Sequence, residues 1–190
     1  MAAIGCYRRD IHEAVIEKVK LYDAFLGEVA WLSDYKVLNA MRGKCLGLVT
    51  QDRDIGDIVR DKYGKMLSST LPETICGVIG KPVGIGEVRV AGTSHNIGKG
   101  WTDNKTDNYF MHNKVLVLGD MEAHSHYILG GEGPVHWVFR PRGFFTGSCN
   151  LTYQSRGHIE NMVWIECEDS ATQQAIGFWE NYSSARTIQL

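Results

Sequence analysis

A length of 190 residues suits one compact domain, or one domain carrying a long insertion. Hydrophobic residues at 44% and charged residues at 22% are ordinary proportions for a soluble globular protein. Twenty Lys and Arg stand against 22 Asp and Glu, and the resulting net charge of −2 excludes a global attraction to nucleic acid, so any polyanion site must be a local basic patch.

In chain order, Asp10 and Glu13 have the spacing of a capping box, and Ile11, Val15, Val19 and Tyr22 follow at helical spacing. Phe25 to Leu32 reads as a strand closed by the turn residues Ser33 and Asp34. Tyr35 to Arg42 reads as a short helix stopped at Gly43, and Cys45 to Thr50 as a buried strand. Strand, helix and strand in quick succession predict a right-handed βαβ crossover and an α/β sandwich with a mixed, mostly parallel sheet flanked by helices. Ile55 to Leu67 predicts another helix, Thr74 to Ala91 strands broken by glycines and Pro82, and the polar stretch Gly92 to Asn108 a loop. Tyr109 to Leu118 is the strongest strand signal. Val135 to Arg140, Phe144 to Gly147 and Glu160 to Glu166 add strand-like pieces, and Ser170 opens a last helix with Ala171, Ala175, Phe178 and Tyr182 on one face. No repeat or domain boundary interrupts this series, so residues 1–190 read as a single domain.

Chemistry concentrates in the second half. His112 and Lys114 flank Asn113 at the start of the apolar run Val115 to Leu118. Side chains two apart on a strand share a face, so imidazole and ammonium project together from a rigid element. Downstream, Thr146-Gly147-Ser148-Cys149-Asn150 forms a second strand end. Its Gly147 permits close backbone approach to a ligand, and Ser148 and Asn150 offer a hydroxyl and an amide to one side. Glu160 opens the next strand.

These three elements, in this order, resemble the phospholipase D superfamily, in particular its single-motif, nuclease-like members of the bacterial and phage type. Met111 to Leu118 is similar to the His-x-Lys signature, Gly147 to Thr152 to the Gly-Ser-x-Asn-x-Thr element, and Ile159-Glu160-Asn161 to the glutamate segment. Two departures stand out. The family's aspartate five residues after the lysine is Gly119 here, with Asp120 one step later, and the short link to Gly-Ser-x-Asn is expanded by an insertion at 121–143.

The resemblance implies a metal-independent phosphodiesterase that needs no cofactor. A histidine nucleophile splits a difficult displacement into two through a phosphohistidine, and a second histidine acts as general acid and then general base. The implied catalytic set is His112, Lys114, Asn150 and Glu160. Lys114 and Asn150, with Ser148, hold the non-bridging oxygens where charge concentrates. Glu160 accepts a hydrogen bond from the imidazole and fixes its tautomer. One chain holds one His-x-Lys set, so two-histidine chemistry implies a homodimer with both His112 side chains near its axis. The implied partner is nucleic acid, DNA in preference to RNA, with no membrane. The rival readings are a lipid phosphodiesterase and a catalytically silent nucleic-acid-binding module.

The remaining candidates carry weaker signals. Arg140, Arg142 and Arg156 bracket the second motif and would form the local phosphate-binding patch, and Lys99 and Lys105 would extend it. Trp101, Trp137 and Tyr153 could stack on bases, although packing is the commoner role. His124, His126, His136 and His158 have no Cys or Asp at a zinc spacing, so no metal site is expected. Gly80 to Gly86 lacks the lysine of a phosphate loop. Five cysteines without a C-x-x-C pair, no run near the ~20 apolar residues of a membrane span and no signal-peptide stretch in Met1 to Asp10 predict reduced thiols in the cytoplasm.

Overall fold

The computed structural model describes residues 3–51, 74–76, 81–83, 87–91, 113–128, 131–184 and 186–187. After the edge strand β1 (Ala3–Tyr7), helix α1 (Ile11–Leu21) buries Ile11, Val15 and Val19, spaced one turn apart, against the sheet. Its start departs from the expected capping box. Asp10 sits at φ 53° and makes no side-chain cap, because capping requires an extended backbone, and Glu13 accepts from Arg156 instead, at 2.9 Å.

Strand β2 (Ala24–Val29) is buried throughout. Asp34 caps helix α2 (Tyr35–Met41) by accepting from the Lys36 N–H at 2.8 Å, and Gly43, at φ 75°, turns the chain into β3 (Cys45–Gln51). β2 and β3 pair in parallel, as a βαβ unit requires. The next strands are β4 (Thr74–Cys76), β5 (Lys81–Val83) and β6 (Glu87–Ala91), the last continuing the sheet in parallel beside β3. The expected helix over 55–67 and the loop over 92–108 lie outside the described residues.

Beyond this half the expectation of a mostly parallel sheet is overturned. The segment read as an insertion at 121–143 pairs with itself. β7 (Lys114–Ile128) and β8 (Gly131–Gly147) form one long antiparallel hairpin, from Val115 opposite Thr146 to Ile128 opposite Gly131. Only two residues separate the strands, whereas a parallel pair needs a crossover of a dozen or more. β9 (Met162–Glu166) and β1 extend the same side antiparallel, and β10 (Arg186–Thr187) closes the other edge. The order β1-β9-β8-β7-β2-β3-β6-β10 is mixed, and its parallel steps are confined to β2–β3–β6. β4 stands off this path, parallel to β8 and antiparallel to β5.

Both faces of the sheet are covered. Phe25, Leu116, Leu118 and Phe145 point to the α1 and α2 side, while Leu26, Val117 and Phe144 point to helix α3 (Glu168–Ser184). The alternation follows the two-residue pleat, and it explains why the central strands read as continuous apolar runs. On α3, Ala171, Ala175, Phe178 and Tyr182 are buried, as their spacing predicts. No helix among the described residues is long and apolar enough to cross a membrane.

Candidate functional site

Antiparallel pairing brings the separate motif segments to one end of the sheet. Val115 stands opposite Thr146, and Gly147 opposite Met162, so the start of β7, the end of β8 and the start of β9 meet. Gly147 permits this closeness: a Cβ there would lie 2.3 Å from the Asn161 carbonyl oxygen. With no Cβ in the way, the Ser148 N–H donates to the Asn161 carbonyl at 2.9 Å and to its Oδ1 at 3.1 Å. The Asn161 N–H donates to Ser148 Oγ at 3.1 Å, and that hydroxyl donates to Glu160 Oε2 at 2.5 Å.

Lys114 is 3% exposed, with its ammonium 5.7 Å from the Trp31 ring centroid. Burial lowers its pKa below the ordinary lysine value, and the Glu160 carboxylate acts in the opposite sense. The same carboxylate therefore addresses both Lys114 and Ser148. Asn150 is half-buried, and its side-chain Oδ1 is fully buried without a hydrogen-bond partner among the described residues, an arrangement that costs about 1–3 kcal/mol unless a ligand or a neighbour relieves it. The structure thus brings Lys114, Ser148 and Glu160 together, with Asn150 two residues beyond Ser148 on the same loop. His112, two residues before Lys114, lies outside the described residues.

Two supporting clusters escaped the sequence reading. Glu28 on β2 is buried among apolar neighbours, and its carboxylate accepts from Asn113 Nδ2 at 2.7 Å and from Asn181 Nδ2 of α3 at 2.9 Å. It thereby pins the residue between His112 and Lys114. An acid inside the apolar strand AFLGEV was its only sequence signal. The second cluster centres on His12. Its Nδ1–H donates to Asp34 Oδ2 at 2.7 Å, and its Nε2 lies 3.1 Å from Ser155 Oγ. Arg156 clamps Asp34 through two nitrogens and Glu13 through a third. Burial alone would raise the Asp34 carboxyl, but hydrogen bonds from Arg156, Lys36 and His12 outweigh it and hold the pKa below the ordinary value.

Ser155, His12 and Asp34 have the connectivity of a hydrolytic triad but not its exposure. Ser155 is 5% exposed, and its hydroxyl is enclosed by the carbonyls of Asn150 and Thr152 and by the Thr152 N–H. A nucleophile must reach its substrate. This cluster instead ties the loop that carries Ser148 and Asn150 to α1 and α2. Cys149 is equally inert, since burial first and Glu160 second push its thiol up to about 11.

The three arginines are not brought to the site. Arg140 pairs with Glu122, and Arg142 with Asp120, Glu122 and Glu168. They lie seven and five residues back along β8 from Gly147, about 23 and 17 Å at strand rise. Arg156 is nearer but fully engaged by Asp34 and Glu13. Trp137 is half-buried on the hairpin, while Tyr153 is exposed. Among the described residues, His124 faces Glu122 at 3.7 Å and His158 lies beyond Arg156 on the loop before β9. Trp101, Lys99 and Lys105 lie outside the described residues.

The position of the usual aspartate is closed by packing. A Cβ at Gly119 would lie 2.1 Å from the Arg140 carbonyl oxygen, because the ladder slips there and Leu118 and Gly119 face Gly143 and Pro141. Asp120, next along, is spent on Arg142 at 2.7 Å.

No protein-family model matches the chain, and no curated protein matches it in sequence. Solved structures do match. Nuc from Salmonella typhimurium, a phospholipase D family member, superposes with a TM-score of 0.61 at 12% identity, over 100% of this chain and 99% of its own. The fold is that of the phospholipase D family. NucT from Helicobacter pylori gives 0.57 at 12% identity, over 99% of this chain and 100% of its own. TrmBL2, an archaeal chromatin protein with a novel mode of DNA binding, gives 0.52 at 10% identity, over 98% of this chain and 54% of its own. This phospholipase-D-like fold hosts the gathered residues at one end of its central strands.

Proposed function

We propose that the chain is a metal-independent phosphodiesterase of nucleic acid that works through a phosphohistidine on His112 as a homodimer. The observation that carries this reading is the meeting of Lys114, Ser148 and Glu160 at one sheet end, with Asn150 two residues beyond Ser148, directly beside the strand start that follows His112.

In this scheme the His112 imidazole attacks the phosphorus, and the leaving oxygen takes a proton from the partner copy's histidine, which then activates water. The Lys114 ammonium and the Asn150 amide meet the charge that gathers on the non-bridging oxygens, where a metal would otherwise serve. Ser148 donates its hydrogen bond to one oxygen of Glu160, which leaves the second carboxylate oxygen to orient an imidazole. Gly119 does not weaken this scheme, because it lies five residues along β7 from Lys114, about 17 Å away. Three of the substrate contacts expected from sequence, Arg140, Arg142 and Arg156, have no part in it, since each is held by acids.

DNA is favoured over RNA in keeping with the DNA binding of TrmBL2, and the free thiols Cys6, Cys45, Cys149 and Cys167 suit action in the cytoplasm. The hairpin over 121–143 is the segment added to the shorter family link. Purified protein should cleave labelled DNA in excess EDTA and sediment at twice the chain mass. Activity that vanishes in EDTA and returns with magnesium, or a fully active monomer, would overturn the proposal.

A further inference from the structure

Beside the site described above lies a pocket of about 330 Å³ between the end of β1 and the loop before β9. Arg8, Arg9, Arg156 and Ile159 line it, together with His12 and Ser155 of the buried cluster. Arg8 and Arg9 are exposed and, among the described residues, make no ion pair, in contrast to Arg140, Arg142 and Arg156. Two acids, Asp10 and Glu13, also line the pocket, but Glu13 is already occupied by Arg156. The cationic side therefore predominates.

We propose that this pocket is a second phosphate-binding subsite, which holds the polynucleotide backbone beside the phosphate being cleaved. The inference rests on the nuclease reading and extends it to substrate anchoring. Three observations support it. Two guanidinium groups without carboxylate partners among the described residues are suited to bidentate contact with phosphate oxygens. The volume corresponds to roughly ten waters, room for a phosphate with its sugar rather than for a bare anion. And the wall residue Ile159 adjoins Glu160 in the chain, so a strand lying across the Ser148–Glu160 end passes the pocket within a residue or two.

The test compares wild type with the Arg8→Ala/Arg9→Ala double variant on a single-stranded oligonucleotide and on bis(p-nitrophenyl) phosphate, which is too small to reach the pocket. KM for the oligonucleotide should rise roughly tenfold or more. The slope of log affinity against log salt should fall by about 1.4, two contacts at ~0.7 each. Turnover of the small diester should not change, and the charge-conserving double variant Arg8→Lys/Arg9→Lys should recover much of the salt slope. Equal KM and equal slope in the alanine variant and wild type would overturn the subsite while leaving the nuclease intact, as would inorganic phosphate displacing the oligonucleotide at equal concentration. Should wild type hydrolyse neither substrate, the nuclease reading fails by itself, and oligonucleotide binding by fluorescence anisotropy still decides the pocket: weaker binding with a shallower slope in the alanine variant upholds it, and unchanged binding rejects it.

Discussion

Lys114 owes its properties to where β7 begins. Burial disfavours its charged form, so the folded protein binds its proton less tightly than the unfolded chain does. If the ammonium holds phosphate oxygens, activity requires the proton. The alkaline limb of kcat/KM should then fall at a pH below the ordinary lysine value of ~10.4, and Lys114→Arg should remove that limb from the accessible range. A limb at or above the ordinary value, or one unmoved by the arginine, would separate Lys114 from the chemistry. At Asp34 the folded state favours the charged form instead. Its folded pKa is depressed below the unfolded value of ~3.9, so the stability it contributes is present above that pH and is lost as pH falls through the lower folded value. Asp34→Asn keeps an acceptor for the Lys36 N–H but loses the charge that faces Arg156 and His12. Denaturation at pH 7 should show a loss of about 3 kcal/mol that narrows as pH falls below the unfolded value of ~3.9. A gap that stays constant with pH would mean that Asp34 acts by shape alone. Lys114, Ser148, Asn150 and Glu160 were legible in the sequence because each lies in a short motif. Glu28, His12, Asp34 and Ser155 were not, because their partners sit 22 to 153 residues away and no local pattern announces them.

At the scale of elements, periodicity found β2, α2, β3 and the buried face of α3 to within a few residues. It did not find the hairpin. Residues 121–143 carry the glycine-rich piece Gly130, Gly131, Gly133 and Pro134, so only Val135 to Arg140 reads as strand and the segment as an insertion, and the expectation of parallel pairing comes from the βαβ start. Pairing partners are a non-local property, and here the two-residue separation of β7 and β8 decides them. The same hairpin explains Gly119. Restoring the family's aspartate by Gly119→Asp should not raise activity and should destabilise the fold by roughly 1–3 kcal/mol or more, since the new Cβ would press on the Arg140 carbonyl. Thermal melting and turnover of the variant check this together. A variant more active than wild type and equally stable would show that the position is neither closed nor silent.

For the whole molecule, the division between a scaffold and a working end is clear. Helices cover both sheet faces and leave the strand ends near Lys114 and Gly147 to carry polar groups. The proposed two-histidine chemistry, in a chain with one His-x-Lys set, would require a second copy across a two-fold axis, and His112 is the residue on which that proposal depends. The direct measurement is denaturing trapping with substrate labelled at the scissile phosphate. The label should remain on wild-type protein in an acid-labile, base-stable linkage, as a phosphohistidine requires, and should be absent from His112→Ala, whose turnover should drop below detection while DNA binding persists. Undiminished cleavage by His112→Ala, or a label retained in that variant, would contradict the account at its centre.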